Sequence, residues 1–460
     1  MDFDVAVLGG GNAALCAAIA ARDEGARVVL LERAPRAMRG GNTRHTRDIR
    51  HAHSEPDRFT TGVYDDDEFM EDLLRVTGGA TDRTLAALTI RESRSLPQWM
   101  GLRGVLWQKA LRGTLHLSRT NRFFLGGGKA LVNAYYDTAA KIGVEILYDA
   151  TARNLIVDDG RVSGIVVDGG ELSQELRCRA AVVATGGFEA NVPWLKRYWG
   201  EAADGFVIRG TPYNDGAVLA ALFECDAKPV GDPRGFHAVA VDARAPKFDG
   251  GIVTRIDVIP FGIVVNRFAK RFYDEGEDFW PKRYAIWGGL IAEQPGQVAY
   301  AIFDAKVTGR FIPTLYPAIA ADSLAALAEG VDLEAAALIA TVAEYNAATR
   351  SGTFAPDVLD DCVTSGIAPA KSHWALPIDT PPYYCYPARP GITFTYLGVA
   401  VDERARVLHN DGMPFANLYA AGECMAGNIL GRGYLAGFGL TIGSVFGRIA
   451  GKEASRHARV

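Results

Sequence analysis

Gly9, Gly11 and Ala14 stand at the spacing G-x-G-x-x-A, and an acid, Glu32, follows. Together these residue types serve the binding of a dinucleotide. Gly9 lets a turn be tight, Gly11 lets the backbone approach a pyrophosphate, and Ala14 lets helix and strand pack closely. Asn12 and Ala13 open the helix, whose free N–H groups and positive dipole end suit phosphates. Glu32, roughly twenty residues past the glycines, can accept both ribose hydroxyls. Beyond it, residues 33–58 hold seven arginines together with His45, His51 and His53. Gly41, Asn42 and Thr43 add backbone N–H groups and short polar side chains there. The plain alternative for this stretch is a solvated basic loop.

The turn needs elements to hold it. An apolar run, Asp4 to Leu8, reads as a buried strand; an alanine-rich helix pattern runs over 13–24; a second strand, Arg27 to Leu31, ends at Glu32. Residues 65–100 show helical spacing of apolar residues. Gly126-Gly127-Gly128 precedes a helix over 129–142, and a strand follows over 144–147. Runs at 154–157 and 164–167 flank Asp158-Asp159-Gly160, a hairpin signal. An apolar strand from Ala180 ends in Thr185-Gly186-Gly187, and a similar turn, Ala421-Gly422-Glu423, lies far downstream. Between them, residues 231–364 are richer in aromatics, prolines and charges and close on a helical pattern over 333–349. The expectation is an α/β protein. A Rossmann-like domain is built from 1–230 and 365–460, and an α+β capping domain, 231–364, is inserted into it.

Composition sets the outer bounds. The 460 residues allow two or three domains, and 48% hydrophobic with 22% charged residues is ordinary globular usage. A net charge of −5 gives no reason to expect nucleic acid. Six cysteines without C-x-x-C pairs argue against zinc, an iron–sulfur cluster or a disulfide framework. No apolar run reaches the ~20 residues of a membrane span, and no basic n-region precedes the first strand, so a cytoplasmic location is expected.

The fingerprint, Ala184-Thr185-Gly186-Gly187 and Ala421-Gly422-Glu423 together resemble flavoproteins with two dinucleotide-binding turns, which implies FAD. Asn266-Arg267-Phe268-Ala269-Lys270-Arg271-Phe272-Tyr273-Asp274-Glu275 is similar to the N-x-x-G-x-R-F-x-x-E hairpin of the fumarate reductase/succinate dehydrogenase flavoprotein superfamily, with Ala269 in the glycine's place. Further stretches, Arg39 to Arg47, Tyr273 to Trp287, Arg389 to Gly398, Met425 to Asn428 and Gly433-Tyr434, are most similar to members that desaturate tricarballylate to cis-aconitate.

The resemblance implies site residues. Arg283 matches an arginine that exchanges the substrate proton, and Tyr434 stands where a final-loop arginine binds substrate. Thr254 falls at a carboxylate-holding threonine, and Arg255 replaces the neighbouring relay glutamate. His237 is an offset candidate for a histidine ligand, Thr393 or Phe394 replaces another, and Arg432 lies near the final loop. Cofactor contacts are implied at Arg33, Ala152, Thr185, Gly186, Gly422, Glu423, Gly439, Leu440 and Thr441. Thr43 falls where the superfamily's flavin-linking histidine stands, with His45 two residues off, so FAD is expected to be noncovalent. A separate electron acceptor, such as a membrane-bound iron–sulfur or haem protein, would reoxidise it. Arginine suits carboxylates, because its planar fork donates paired charge-assisted hydrogen bonds. A 3-ketosteroid-type dehydrogenase and a flavin-binding sensor without turnover are the alternatives.

Overall fold

The computed structural model describes residues 3–110, 117–169, 172–249 and 253–459. The first strand, Phe3–Leu8, lies between Leu172–Val183 and Val28–Leu31, parallel to both, with Val5 opposite Ala180 and Val28. The sheet continues to Glu145–Leu147 on one side. On the other it continues through Pro414–Ala420 to Arg406–Leu408, the last strand antiparallel. Both faces are covered, so the central strands read as continuous apolar runs. The hairpin expected around Asp159-Gly160 forms between Thr151–Asp158 and Arg161–Gly169. Both turn residues have positive φ, 47° and 70°, the pair of conformations that a two-residue hairpin loop requires.

The helix Asn12–Asp23 packs on Phe438–Ala458 through a stripe of glycines four residues apart. A Cβ at Gly447 would lie 2.4 Å from the Ala13 carbonyl oxygen, and one at Gly451 would lie 2.1 Å from that of Ala17. Residues i and i+4 share a helix face, so the stripe lets the two backbones touch along its length. Asn12 Nδ2 reinforces the join by donating to Leu440 O at 3.2 Å and Ser444 Oγ at 3.0 Å.

A second sheet is antiparallel, in the order Phe236–Asp242, Tyr383–Thr395, Ala299–Asp304 and Ile263–Asn266. Its long strand Tyr383–Thr395 also pairs with Ile319–Ala321 and, in parallel, with Val207–Ile208. This sheet therefore draws strands from both sides of the expected 231–364 segment. The hairpin at Asn266–Arg271 closes even though alanine replaces glycine: Asn266 N donates to Lys270 O at 2.9 Å, and Ala269 takes φ +57°. Among the described residues no helix is long and apolar enough to cross a membrane.

Candidate functional site

A cleft of about 1790 Å3, open solvent at its mouth included, runs from the first glycine turn to the face of the second sheet. At one end stand Gly9, Gly11, Asn12 and Ala13. Gly9 adopts φ +109°, and a Cβ there would sit 2.3 Å from the Ala184 carbonyl oxygen, so strand and turn touch. Gly11 differs: a Cβ would meet nothing nearer than Thr43 Oγ1 at 3.4 Å. Its open side faces the cleft, which is the space a pyrophosphate needs. The Asn12 N–H at the helix start donates to Thr43 Oγ1 at 2.9 Å.

Glu32 lines the same end and is almost fully buried. Its carboxylate accepts from the backbone N–H of Ala34 and Gly40, each at 2.9 Å, and from the Tyr136 hydroxyl at 3.2 Å. Burial raises its pKa against these donors. Glu32 thus clamps the loop after it as well as facing the expected ribose position. Arg33 lines the cleft beside it, paired with Asp215 at 2.5 Å.

The middle of the cleft joins the other turns. Ala152, Thr185, Gly186, Gly422 and Glu423 all line it, as do Gly41, Asn42 and Thr43. Asn42 is held from three sides: Nδ2 donates to Glu189 Oε1 at 2.6 Å and Thr393 O at 2.7 Å, while Oδ1 accepts from Thr211 N at 2.7 Å. Glu189 also accepts from Asn214 Nδ2 at 2.7 Å. Burial raises the pKa of Glu189 to about 7 and that of Glu423 well above its usual range, the Glu423 shift increased by the neighbouring Glu189 carboxylate. Glu189 gave no motif in the sequence. His45 lines the cleft with its pKa lowered to about 4 by burial and by Arg44, Arg209 and Lys129, so its imidazole is neutral. Gly439 and Leu440 line the cleft too. Ala14 and Thr441, expected beside them, do not: Ala14 is buried in the core, and Thr441 turns to donate to Arg50 O at 2.5 Å.

The far wall carries the expected substrate residues His237, Arg255, Thr393 and Tyr434, joined by Arg47, Arg209, Trp280 and Tyr284. Arg255 forms a bidentate pair with Asp257, at 2.6 and 2.8 Å, and Trp280 Nε1 donates to the same carboxylate at 2.7 Å. Burial opposes the Arg255 charge, but Asp257 outweighs it and the pKa is raised. Arg209 donates to Thr393 Oγ1 at 3.0 Å; burial and Arg255 push its pKa down to about 10. Burial and Arg255 also lower Arg47. His237 stacks 4.1 Å from the Tyr434 ring, its pKa held well below the usual range by burial, Arg209 and Arg255. The Tyr434 hydroxyl accepts from Gly439 N at 2.9 Å.

Three expected residues lie elsewhere. Trp280–Arg283 is a single helical turn that directs Trp280, Pro281 and Tyr284 into the cleft. Arg283 falls on another side of that turn, paired with Glu277, with Arg75 and Arg432 as cationic neighbours. The longer spacing from Glu275 thus carries Arg283 past the cleft. Arg432 lies against Gly78, at the end of the helix Asp66–Thr77, where a Cβ would sit 2.5 Å from its Nη2. Thr254 is buried and hydrogen-bonded to Asp249. Arg47 lay in the arginine-rich stretch singled out from sequence and Tyr284 in the stretch Tyr273 to Trp287 that carries the resemblance, though neither was named as a site residue, whereas Arg209 gave no local signal.

Residues 4–440 match the family described as FAD binding domain. The chain is 27% identical to the NADH:fumarate oxidoreductase of Klebsiella pneumoniae (strain 342), covering 100% of this chain and 48% of that protein. It therefore spans about half that relative's length. Over 76% of this chain and 66% of the relative it is 29% identical to the 3-oxosteroid 1-dehydrogenase of Mycobacterium tuberculosis (strain ATCC 25618 / H37Rv). The open conformation of a flavocytochrome c3 fumarate reductase superposes with a TM-score of 0.76 at 25% identity, covering 99% of this chain and 78% of that one. Glycine turns, an open face at Gly11 and helix N–H groups fit the dinucleotide that this family binds. The chain belongs to the FAD binding domain family, within the fumarate reductase/succinate dehydrogenase flavoprotein superfamily, and its cofactor is FAD.

Proposed function

We propose that the protein is an FAD-dependent oxidoreductase that desaturates a small polycarboxylate, with tricarballylate going to cis-aconitate. The observation that carries this reading is the convergence of Arg47, Arg209 and Arg255 on one wall of the cleft, with Arg209 and Arg255 buried and Arg47 half-buried. Asp257 pairs with Arg255 and Asp48 lies 3.9 Å from Arg47, while burial and repulsion from Arg255 lower the pKa values of Arg209 and Arg47. Clustered guanidiniums repel one another, and a ligand with several carboxylates would offset that repulsion through charge-assisted hydrogen bonds.

When bound, the flavin supplies a two-electron acceptor for hydride. The chain's own residues do the rest: arginines hold carboxylates, Asn42 and Glu423 fix the turns, and the second sheet closes the far side from water. We take that sheet and its helices as a cap over a domain built from the first sheet; Tyr383–Thr395 would belong to the cap. FAD would be noncovalent, and electrons would leave to a separate acceptor.

The relatives named as fumarate and 3-oxosteroid enzymes support C–C chemistry at this site. The Tyr434 hydroxyl on Gly439 N also suits a neutral ketone, but such a substrate would leave the repulsion among the arginines in place. Anaerobic mixing of the flavin-loaded protein with tricarballylate, and separately with a 3-ketosteroid, tests the reading. Bleaching of the flavin by tricarballylate supports it; bleaching by the steroid alone, or by neither, overturns it.

A further inference from the structure

We propose that Tyr284 is the residue that takes the proton from carbon as the polycarboxylate is desaturated; this rests on the reading above. Tyr284 lines the cleft, and its hydroxyl makes no hydrogen bond to any described residue. Nor is that oxygen sealed among the buried polar atoms lacking partners, so it opens to the cleft. The other candidates on this wall are committed or shut away. Tyr434 already accepts from Gly439 N, Arg255 is held in both forks of its pair with Asp257, and His237 Nε2 is sealed and without a partner. Arg283 lies outside the cleft.

Cationic and aromatic groups surround the Tyr284 ring. The Arg255 guanidinium carbon lies 4.8 Å from the Tyr284 ring centroid, and the His237 ring meets it edge-on at 5.5 Å. Burial is the largest influence and raises the Tyr284 pKa, with Asp48 adding to it, while Arg255, Arg209 and Arg47 pull the other way and limit the rise. The same guanidiniums that would draw in carboxylates thus stand beside the oxygen that must bear charge.

The step balances as follows. The Tyr284 phenolate forms an O–H bond with the proton of one substrate carbon. The electron pair of the broken C–H bond becomes the second bond of the alkene. A hydride leaves the neighbouring carbon for the flavin, which gains two electrons, and the tyrosine later releases its proton to water. In the reverse direction the phenol donates the proton.

Tyr284→Phe keeps the ring, its contact with Arg255 and its edge contact with His237, and strands no hydrogen-bond partner. In stopped-flow reduction of the FAD-loaded protein by tricarballylate, the variant should bind with an unchanged dissociation constant, read from the flavin spectral shift. Its limiting rate should fall about 10²–10⁴-fold, the span of general acid–base catalysis. Tyr284→His, which restores a titratable group, should recover at least about tenfold of that loss. Equal limiting rates in wild type and Tyr284→Phe, or loss of flavin from that variant, would overturn the role while leaving the substrate standing. A wild type that tricarballylate does not reduce would instead defeat the substrate reading and take the Tyr284 assignment with it.

Discussion

Gly447 and Ala13 touch backbone to backbone: a single added carbon on Gly447 would lie 2.4 Å from the Ala13 carbonyl oxygen. Ala13 is in the first turn of the helix behind the cofactor glycines, so the last helix sets where that turn sits. Gly447→Val should therefore destabilise the fold by more than about 3 kcal/mol, in the range of severe overpacking. Denaturant unfolding of the variant against wild type measures it, and a change within about 1 kcal/mol would show that the helices can part at no cost.

Gly9 and Gly11 should respond differently to one substitution. Gly9→Val meets the Ala184 carbonyl and a positive φ, so folding should fail or weaken severely. Gly11 has an ordinary φ of −80° and open space. Gly11→Val should fold with the melting curve of the flavin-free wild type yet bind no FAD, read from visible absorbance after gel filtration. Retained flavin in a folded Gly11→Val protein would move the pyrophosphate elsewhere.

Arg209→Gln separates folding from binding. The wild-type cation is buried with its pKa pushed down to about 10, so replacing it should leave the unliganded protein as stable or more so. Losing a hydrogen bond to a charged group costs about 1.5–3 kcal/mol, so tricarballylate affinity should fall roughly 10–100-fold. Unchanged affinity in a titration of the flavin spectrum would remove Arg209 from the substrate site.

Arg283→Gln should alter the limiting rate of flavin reduction by less than about threefold, because the side chain pairs with Glu277 outside the cleft. A loss of orders of magnitude would restore the role that the resemblance implies.

The Glu189–Glu423 pair makes stability depend on pH. The Glu189 carboxyl is raised from 4.5 to about 7, chiefly by burial. Between those values the folded protein keeps a proton that the unfolded chain has released, so this pair's contribution to stability falls as pH rises. Glu189→Gln should flatten that fall by an amount on the order of 3 kcal/mol. Parallel pH–stability curves for the flavin-free wild type and variant would show that the pair does not titrate there.

Which parts were readable from sequence depends on how local they are. The turns at Gly9–Ala13, Thr185-Gly186 and Gly422-Glu423 announce themselves because strand, small residues and helix follow one another along the chain, and all three line the cleft. Thr441 and Arg283 show the limit: each sits near the right place, but a fraction of a helical turn decides which way a side chain points. Arg209 enters the site only because Val207–Ile208 pairs with Gly391 and Ile392, bringing it to Thr393, 184 residues away. No local pattern records such a meeting. Glu189 likewise becomes meaningful only when Glu423 and Asn42 close around it.

The glycine stripe also has a consequence for the order of events during synthesis. Ala13 leaves the ribosome well before the residues that seat its helix, Gly443, Gly447 and Gly451, which come more than four hundred positions later. At about 5–20 residues per second, the gap is on the order of 20 to 90 seconds. Throughout that time the alanine face of the first helix has no permanent cover, and the nascent chain cannot hold its flavin. Cofactor loading must then follow translation, and a truncated chain ending before residue 438 should pellet, colourless, with the aggregates.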